Sequence, residues 1–249
     1  MKFLLTVFAI IVFASVALAQ DADTVQPDRP STSSSTHIVP AHHVQVEGGM
    51  DRLRIGAGSA YAVGEVLVRV GINKRVEAGI GVPSYLSFRA ATTHWTGADD
   101  TSIDTKIQLM SSERVSFAVL AEAMLPTGSR NVAEHTFQPS GTFISDFTVS
   151  KVIGVTANAS YSRSTDGGVR FNDFTGVLTV NYSVSSGWNA FTEIFGSNNH
   201  NGVAPRYAGA GITRTIRKHT SIDASGGTGL GNNVHGPDYY WGFGISHLF

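Results

Sequence analysis

Eight charged residues stand out in this 249-residue chain because each interrupts an alternating, largely apolar stretch on its polar phase: Glu65, Arg69, Glu77, Asp104, Lys106, Glu122, Glu193 and Asp223. Charges placed this way do one of two things. Opposite signs pair across neighbouring strands and brace a wall, or they line a path and tune which solutes pass; the two roles are compatible. Covalent chemistry has thinner support. The chain has nine histidines and no cysteine, which removes thiolate nucleophiles, thiolate metal sites and disulfides. His37, His42, His43, His94, His135, His200 and His235 fall in segments that read as arm or loop. His42-His43 makes no metal site, since adjacent strand residues point to opposite faces and no partner of suitable spacing follows. Hydrolysis needs a serine, a histidine and an acid, or two carboxylates, within mutual reach. The nearest local set is His219-Thr220-Ser221. No catalytic residue, metal or cofactor is expected.

The elements that must hold the eight charges are strands. From about His42 to Phe249 the chain alternates with period two, rich in Val, Ile, Thr, Phe, Tyr and Gly, and no window shows a helical period. About twelve strands are expected. The clearest are Glu65 to Val70, Arg75 to Phe88, Thr101 to Met110, Arg114 to Leu125, Gly141 to Ser150, Val152 to Ser162, Asn172 to Tyr182, Trp188 to Gly196, Arg206 to Ile216, Ser221 to Leu230 and Asp238 to Phe249. One more begins near His42 and has no clear end, because Gly48-Gly49 and Arg52-Leu53-Arg54 break its phase. Tight connections at 71–74, 111–113, 150–151, 183–186 and 217–219 alternate with longer ones at 91–99, 126–140, 165–170, 197–204 and 231–237. Short periplasmic turns alternating with longer extracellular loops, on an even number of antiparallel strands, are the pattern of an outer-membrane β-barrel.

Alternation by itself does not say which phase is inside, because a soluble sandwich buries its apolar phase and a membrane barrel turns it to lipid. Charge content separates them. Only 15% of the residues are charged, against about 25% in a soluble domain, and the polar phases carry mostly Gly, Ser, Thr and Asn. An Arg or Lys facing lipid at mid-membrane would cost roughly 2–4 kcal/mol, so the eight charges are expected in the lumen. Aromatic residues near the strand ends (Tyr85, Phe88, Phe143, Tyr161, Phe171, Tyr207, Tyr239 and Tyr240 outside; Tyr182, Trp188 and Phe249 on the periplasmic side) suggest two girdles. A sum of 18 Lys+Arg against 19 Asp+Glu, without a basic block, excludes a nucleic-acid partner.

Three divisions follow. Residues 1–19 read as a cleavable signal peptide: Lys2, the apolar run Phe3 to Val16, then Ala17-Leu18-Ala19 before Gln20. Residues 20–41 are polar, proline-bearing and aperiodic, an extended arm either loose in the periplasm or tucked into the barrel. Residues 42–249 form the barrel. Its last strand puts Tyr239, Trp241, Phe243, Ile245 and Phe249 on one phase, which His247 interrupts. A terminal strand of that kind is similar to the signal read by the bacterial barrel-assembly machinery, an expected partner beside outer-membrane lipid.

Several phrases then occur together and in order: Pro27-Asp28-Arg29-Pro30, Val39-Pro40, Val44-Gln45-Val46-Glu47-Gly48, Arg69-Val70-Gly71, Arg75-Val76-Glu77, Asp104-Thr105-Lys106, Leu125-Pro126-Thr127-Gly128, Ile222-Asp223, Gly229-Leu230, Pro237-Asp238-Tyr239-Tyr240 and Gly244-Ile245-Ser246. The chain resembles the outer-membrane transporter family named after the meta-cleavage pathway of phenol degradation. That resemblance implies a β-barrel moving small, aromatic or hydrophobic compounds. The expectation is a monomeric, passive channel whose conductance is small or gated by the arm. The rivals are a closed structural or adhesive barrel with 126–140 as its contact loop, and an outer-membrane lipid hydrolase using His219 and Ser221, although that pair lies at an expected periplasmic turn.

Overall fold

The computed structural model describes residues 24–198, 204–231 and 236–249. The expected cleavage after Ala19 lies outside the described residues, as do His200 and His235. All fifteen strand segments belong to one antiparallel sheet: β1 (Val44–Ile55), β2 (Gly58–Val63), β3 (Val66–Asn73), β4 (Val76–Val82), β5 (Tyr85–Arg89), β6 (His94–Ala98), β7 (Thr101–Ser111), β8 (Val115–Leu125), β9 (Gln138–Thr148), β10 (Ile153–Asp166), β11 (Val169–Ser185), β12 (Trp188–Ser197), β13 (Arg206–Arg217), β14 (Thr220–Gly229) and β15 (Tyr239–Leu248). β15 pairs with β1 from Gln45↔Leu248 to Arg54↔Tyr239, which closes the sheet on itself.

Fifteen segments make twelve staves. β1 pairs with β2 in its upper half and with β3 in its lower half, and between Met50↔Val63 and Glu47↔Leu67 the second chain carries one extra residue. Gly64 and Glu65 both donate their amides to Gly49 O, so the extra residue is a β-bulge, with Gly64 at φ +76°. β4 and β5 form the next stave, interrupted at Pro83-Ser84, and β6 and β7 the one after, interrupted at Asp99-Asp100. The bulge reverses phase: Tyr61 and Val63 face outward above it, and Val66, Val68 and Val70 below. A strict alternation therefore does not reach across residue 64.

Sequence boundaries shift accordingly. The first strand runs unbroken through Gly48-Gly49 and Arg52-Leu53-Arg54, since glycine keeps the extended backbone and its neighbours alone set the phase. The expected strand at Glu65 begins instead at Val66, with β2 above it. The expected loop 91–99 contains β6, whose free edge is covered by the 126–137 connection: Ser129 N donates to Ala98 O, Ala98 N to Ser129 Oγ and Asn131 Nδ2 to Thr96 O.

The outer and inner surfaces invert the usual order. Large apolar side chains such as Ile103, Leu109, Leu178, Ile194, Phe243 and Ile245 are exposed on the outside, whereas Glu47, Arg69, Glu77 and Lys106 are buried inside, at no more than 2% exposure. A wall with that polarity is solvated by lipid, and closure leaves no backbone edge unpaired within it. Tyr85, Phe143, Tyr161 and Tyr239 face outward as a girdle would, but Phe88, Phe171, Tyr207 and Tyr240 lie on the inward phase. The girdle expectation is corrected for those four, because a phase reversal or a one-residue offset decides the face and proximity to a strand end does not. No helix among the described residues is long and apolar enough to cross a membrane.

Candidate functional site in the lumen

The arm enters the barrel. Its described part starts at the tight-turn end of the barrel, its base, where Val25 N donates to Lys218 O in the β13–β14 turn, climbs to a tip at 30–33, and descends to Ala41, which bridges to Gly71 beside the start of β1. At the base Val25 and Val39, from the two legs of this loop, pack on Leu248. Thr32 at the tip is exposed to the outer half of the lumen.

A segment without helix or sheet must satisfy its buried amides some other way, and wall side chains do it. Seven backbone amides of the arm donate to them: Gln26 N to Gln45 Oε1 (3.1 Å), Asp28 N and Arg29 N to the Glu47 carboxylate (3.4 and 3.2 Å), Thr32 N to Glu193 Oε2 (3.0 Å), Ser34 N to Asn158 Oδ1 (2.7 Å), Thr36 N to Asp146 Oδ2 (2.7 Å) and Val39 N to Glu77 Oε2 (2.6 Å). Glu193 also accepts from the hydroxyls of Ser31 (2.8 Å) and Thr32 (2.9 Å), and Asn158 returns a bond from Nδ2 to Ser34 O (2.9 Å). Carboxylates accept from an amide more strongly than neutral groups do, and they bind here away from water.

The densest contact is ionic. Arg69 on β3 bonds Glu47 on β1 (2.8 Å) and Glu77 on β4 (2.7 Å), and Lys106 on β7 lies 3.3 Å from Glu77. Asp28 of the arm sits between the two cations, 2.6 Å from Lys106 Nζ and 3.5 Å from Arg69 Nη2. The Asp28 side chain closes the loop on itself as well, accepting from the amide and hydroxyl of Ser35, both at 2.9 Å. Removing one member of a buried cluster of this kind costs roughly 3–5 kcal/mol, because the remaining charges stay desolvated. Higher up, Arg29 pairs with Glu65 (2.9 Å) and reaches toward Asp223 (3.9 Å). Its guanidinium lies where a Cβ on Gly49 or Gly244 would stand, so two glycines on facing strands make its berth.

Six of the eight expected residues therefore meet the arm: Glu65, Arg69, Glu77, Lys106, Glu193 and, at long range, Asp223. Asp104 and Glu122 lie opposite each other on β7 and β8, above the arm, without a hydrogen bond or ion pair among the described residues. Gln45, Glu47, Asp146 and Asn158 belong to the same inward phases and were not singled out by sequence. The signal was present for Gln45 and Glu47 as Val-Gln-Val-Glu alternation, but the two glycines after them hid the strand. Asp146 and Asn158 stand among Ser, Thr and Gly, where a lone polar residue carries no mark.

Above the tip the inward faces are aromatic on two sides. Phe195 stacks on Tyr207 (4.9 Å between centroids) with Tyr240 next to it (6.4 Å), and across the lumen Phe88 stacks on Trp95 (5.3 Å). The remaining sequence candidates are scattered. His219 lies in the β13–β14 turn, and Thr220 Oγ1 bonds His247 Nδ1 at 2.8 Å, while Ser221 points into the barrel. His42 and His43 precede β1, the second bonding Ala41 O at 3.1 Å, and no group of three metal-ligating side chains occurs among the described residues. Tyr239, Trp241, Phe243 and Ile245 share the outward face of β15 with His247, whose ring meets Phe249 edge-on at 4.4 Å.

Comparison with known proteins gives a family and a fold. A family model described as "Putative MetA-pathway of phenol degradation" matches residues 27–249. No curated protein matches the chain. Among solved structures, "KdgM porin in complex with disordered oligogalacturonate" is similar at a TM-score of 0.57 and 9% identity, covering 83% of this chain and 99% of the other. "NanC porin structure in rhombohedral crystal form" is similar at 0.54 and 12% identity, covering 82% and 98%. At such identities the likeness concerns the barrel alone.

Proposed function

The chain belongs to that phenol-degradation family, and we propose that it is an outer-membrane channel for small solutes whose N-terminal arm holds it shut at rest. The observation that carries this reading is the polarity of the interior. A barrel that served only as a wall would gain from an apolar filling, yet its lumen presents carboxylates, amides and hydroxyls that bind the arm through hydrogen bonds a solute or water could replace. Eight strands close on a side-chain-filled interior and sixteen leave an open aqueous channel. Twelve staves lie between, wide enough to hold one folded-back segment and, with it withdrawn, a solute.

The aromatic pairs above the arm favour small aromatic or hydrophobic solutes, which would stack on Phe88 and Trp95 or on Phe195 and Tyr207 before meeting the tip at Thr32. Selectivity at that level falls to Asp104 and Glu122. Export by the expected signal peptide, and insertion by the assembly machinery through the outward face of β15, belong to the same reading.

Current through planar bilayers tests it. The full chain should give rare, small openings; Glu193→Ala, which removes part of the arm's seat, should lengthen them several-fold, a loss of about 1 kcal/mol or more in docking, and Asp28→Ala, which takes a member from the buried ionic cluster, should lengthen them further. Silence from the full chain and both variants would leave the closed structural barrel as the reading, which the burial of the arm's contacts otherwise favours.

A further inference from the structure

The arm is not held equally all round. Toward β1, β3, β4, β7 and β9 to β12 its polar groups bond wall side chains directly. Toward β14 and β15, between Tyr240 and the Val25–Lys218 bond at the foot of the barrel, the described polar contact is one long ion pair, Arg29 Nε to Asp223 Oδ2 at 3.9 Å. Six buried side-chain atoms are left without a hydrogen-bond partner along this line: Gln26 Oε1 and Arg29 Nε of the arm, both Asp223 oxygens, Ser221 Oγ and Ser246 Oγ. Only one other buried side-chain atom among the described residues, Asp173 Oδ1, shares that condition. Ser221 and Ser246 are register partners, and Asp223 is the next inward residue above Ser221. The Asp223 side chain has no exposure, Ser221 has 1% and Ser246 none.

Unpartnered buried oxygens in such number call for water, and a carboxylate among them favours a cation. Arg29 is one cation among three carboxylates, Glu65 at 2.9 Å, Asp223 at 3.9 Å and Asp51 opposite Gly242, so the group keeps a negative excess. We propose that this seam between the docked arm and β14–β15 holds water and is the route by which small cations pass the arm without its withdrawal. The route rests on the channel reading above. It gives the barrel two regimes: a slow leak of small cations along the seam, and passage of larger solutes only when the latched side releases.

The chain has no cysteine, so single cysteines report on the seam directly. In the full chain in lipid vesicles, Ser221→Cys and Ser246→Cys should react with aminoethyl methanethiosulfonate faster than Thr179→Cys, equally buried on the latched side, and Thr156→Cys, slightly less buried there. The expected ratio is about tenfold or more, since a thiol in a dry site titrates at least a unit higher and offers that much less thiolate. The anionic sulfonate analogue should lag at Ser221→Cys, and Asp223→Asn should remove the lag. Folding of each variant is read from its migration on an unboiled gel, and Ser221→Cys alone suffices if Ser246→Cys does not fold. Equal rates on the two sides would overturn the hydrated seam, and equal rates for the two reagents its preference for cations. Current through a barrel with an unreactive seam would overturn the seam and leave the channel. A reactive seam with no current in any variant would overturn the channel and the route with it.

Discussion

Asp28 and His37 answer acid in different ranges, although both sit in the arm. Burial alone would raise the Asp28 carboxyl, yet the guanidinium of Arg69 and the ammonium of Lys106 outweigh it and hold the group well below the usual carboxylate range. Its contribution to docking is complete above the ordinary carboxylate value of about 4 and fades only as pH falls toward that lower one. His37 shifts down as well, for another reason: burial, with Lys106 and Arg69 adding to it, outweighs the attraction of Asp146 and Asp28. An undocked arm then takes up a proton near pH ~6.5 that the docked arm refuses. Docking is strongest above that pH and weakens as pH falls from it toward the docked value. The protection of amides 31–39, read as the observed exchange rate against the intrinsic rate at the same pH, should therefore fall between pH 7 and 5, and His37→Asn should flatten the response. A flat profile in the unsubstituted chain would contradict this assignment.

At the level of elements, the bulge at Gly64-Glu65 decides which face β3 turns to lipid. Were residue 64 an ordinary ladder residue, the phase that puts Tyr61 and Val63 outside would continue to Leu67 and Arg69, and Val68 would turn inward. Arg69 would then face lipid at a cost of roughly 2–4 kcal/mol, and Glu47 and Glu77 would lose their partner. Gly64 holds the bulge at φ +76°, where a β-branched residue is strained, so Gly64→Val should lower the yield of folded barrel sharply, whereas deleting Gly64, which removes the extra residue and leaves 65–70 on their present faces, should be tolerated better. A Gly64→Val yield equal to that of the unsubstituted chain would sink the assigned bulge. The interruptions at 83–84 and 99–100 follow from the same bulge, because β5 and β6 must stay in register with β2.

The whole molecule is held by closure and by its filling. Twelve staves ending in the β1–β15 ladder leave only the short edge at β6, which the 126–137 connection covers, and the arm ties eight of those staves together from inside. The unboiled protein in detergent should run apart from the boiled one on a gel. Arg69→Met should lower the temperature at which that difference disappears, since it unties β1, β3 and β4 from each other and from Asp28. An unchanged temperature would mean that the ionic cluster seats the arm without bracing the wall.

By itself the sequence determined the barrel. Alternation, low charge and tight turns at every second connection need no tertiary information, because the pleat fixes the period and lipid fixes which phase is apolar. Most of the charges on the polar phase were legible for the same reason, Arg69 and Lys106 among them. Only the tertiary structure decided where the arm goes. Residues 24–41 have no period, and the groups that seat them, from Gln45 to Glu193, are up to 162 positions apart from their partners. No local pattern records a contact of that separation. The bulge at Gly64 was hidden likewise, since a single extra residue shows itself only against the strand it faces.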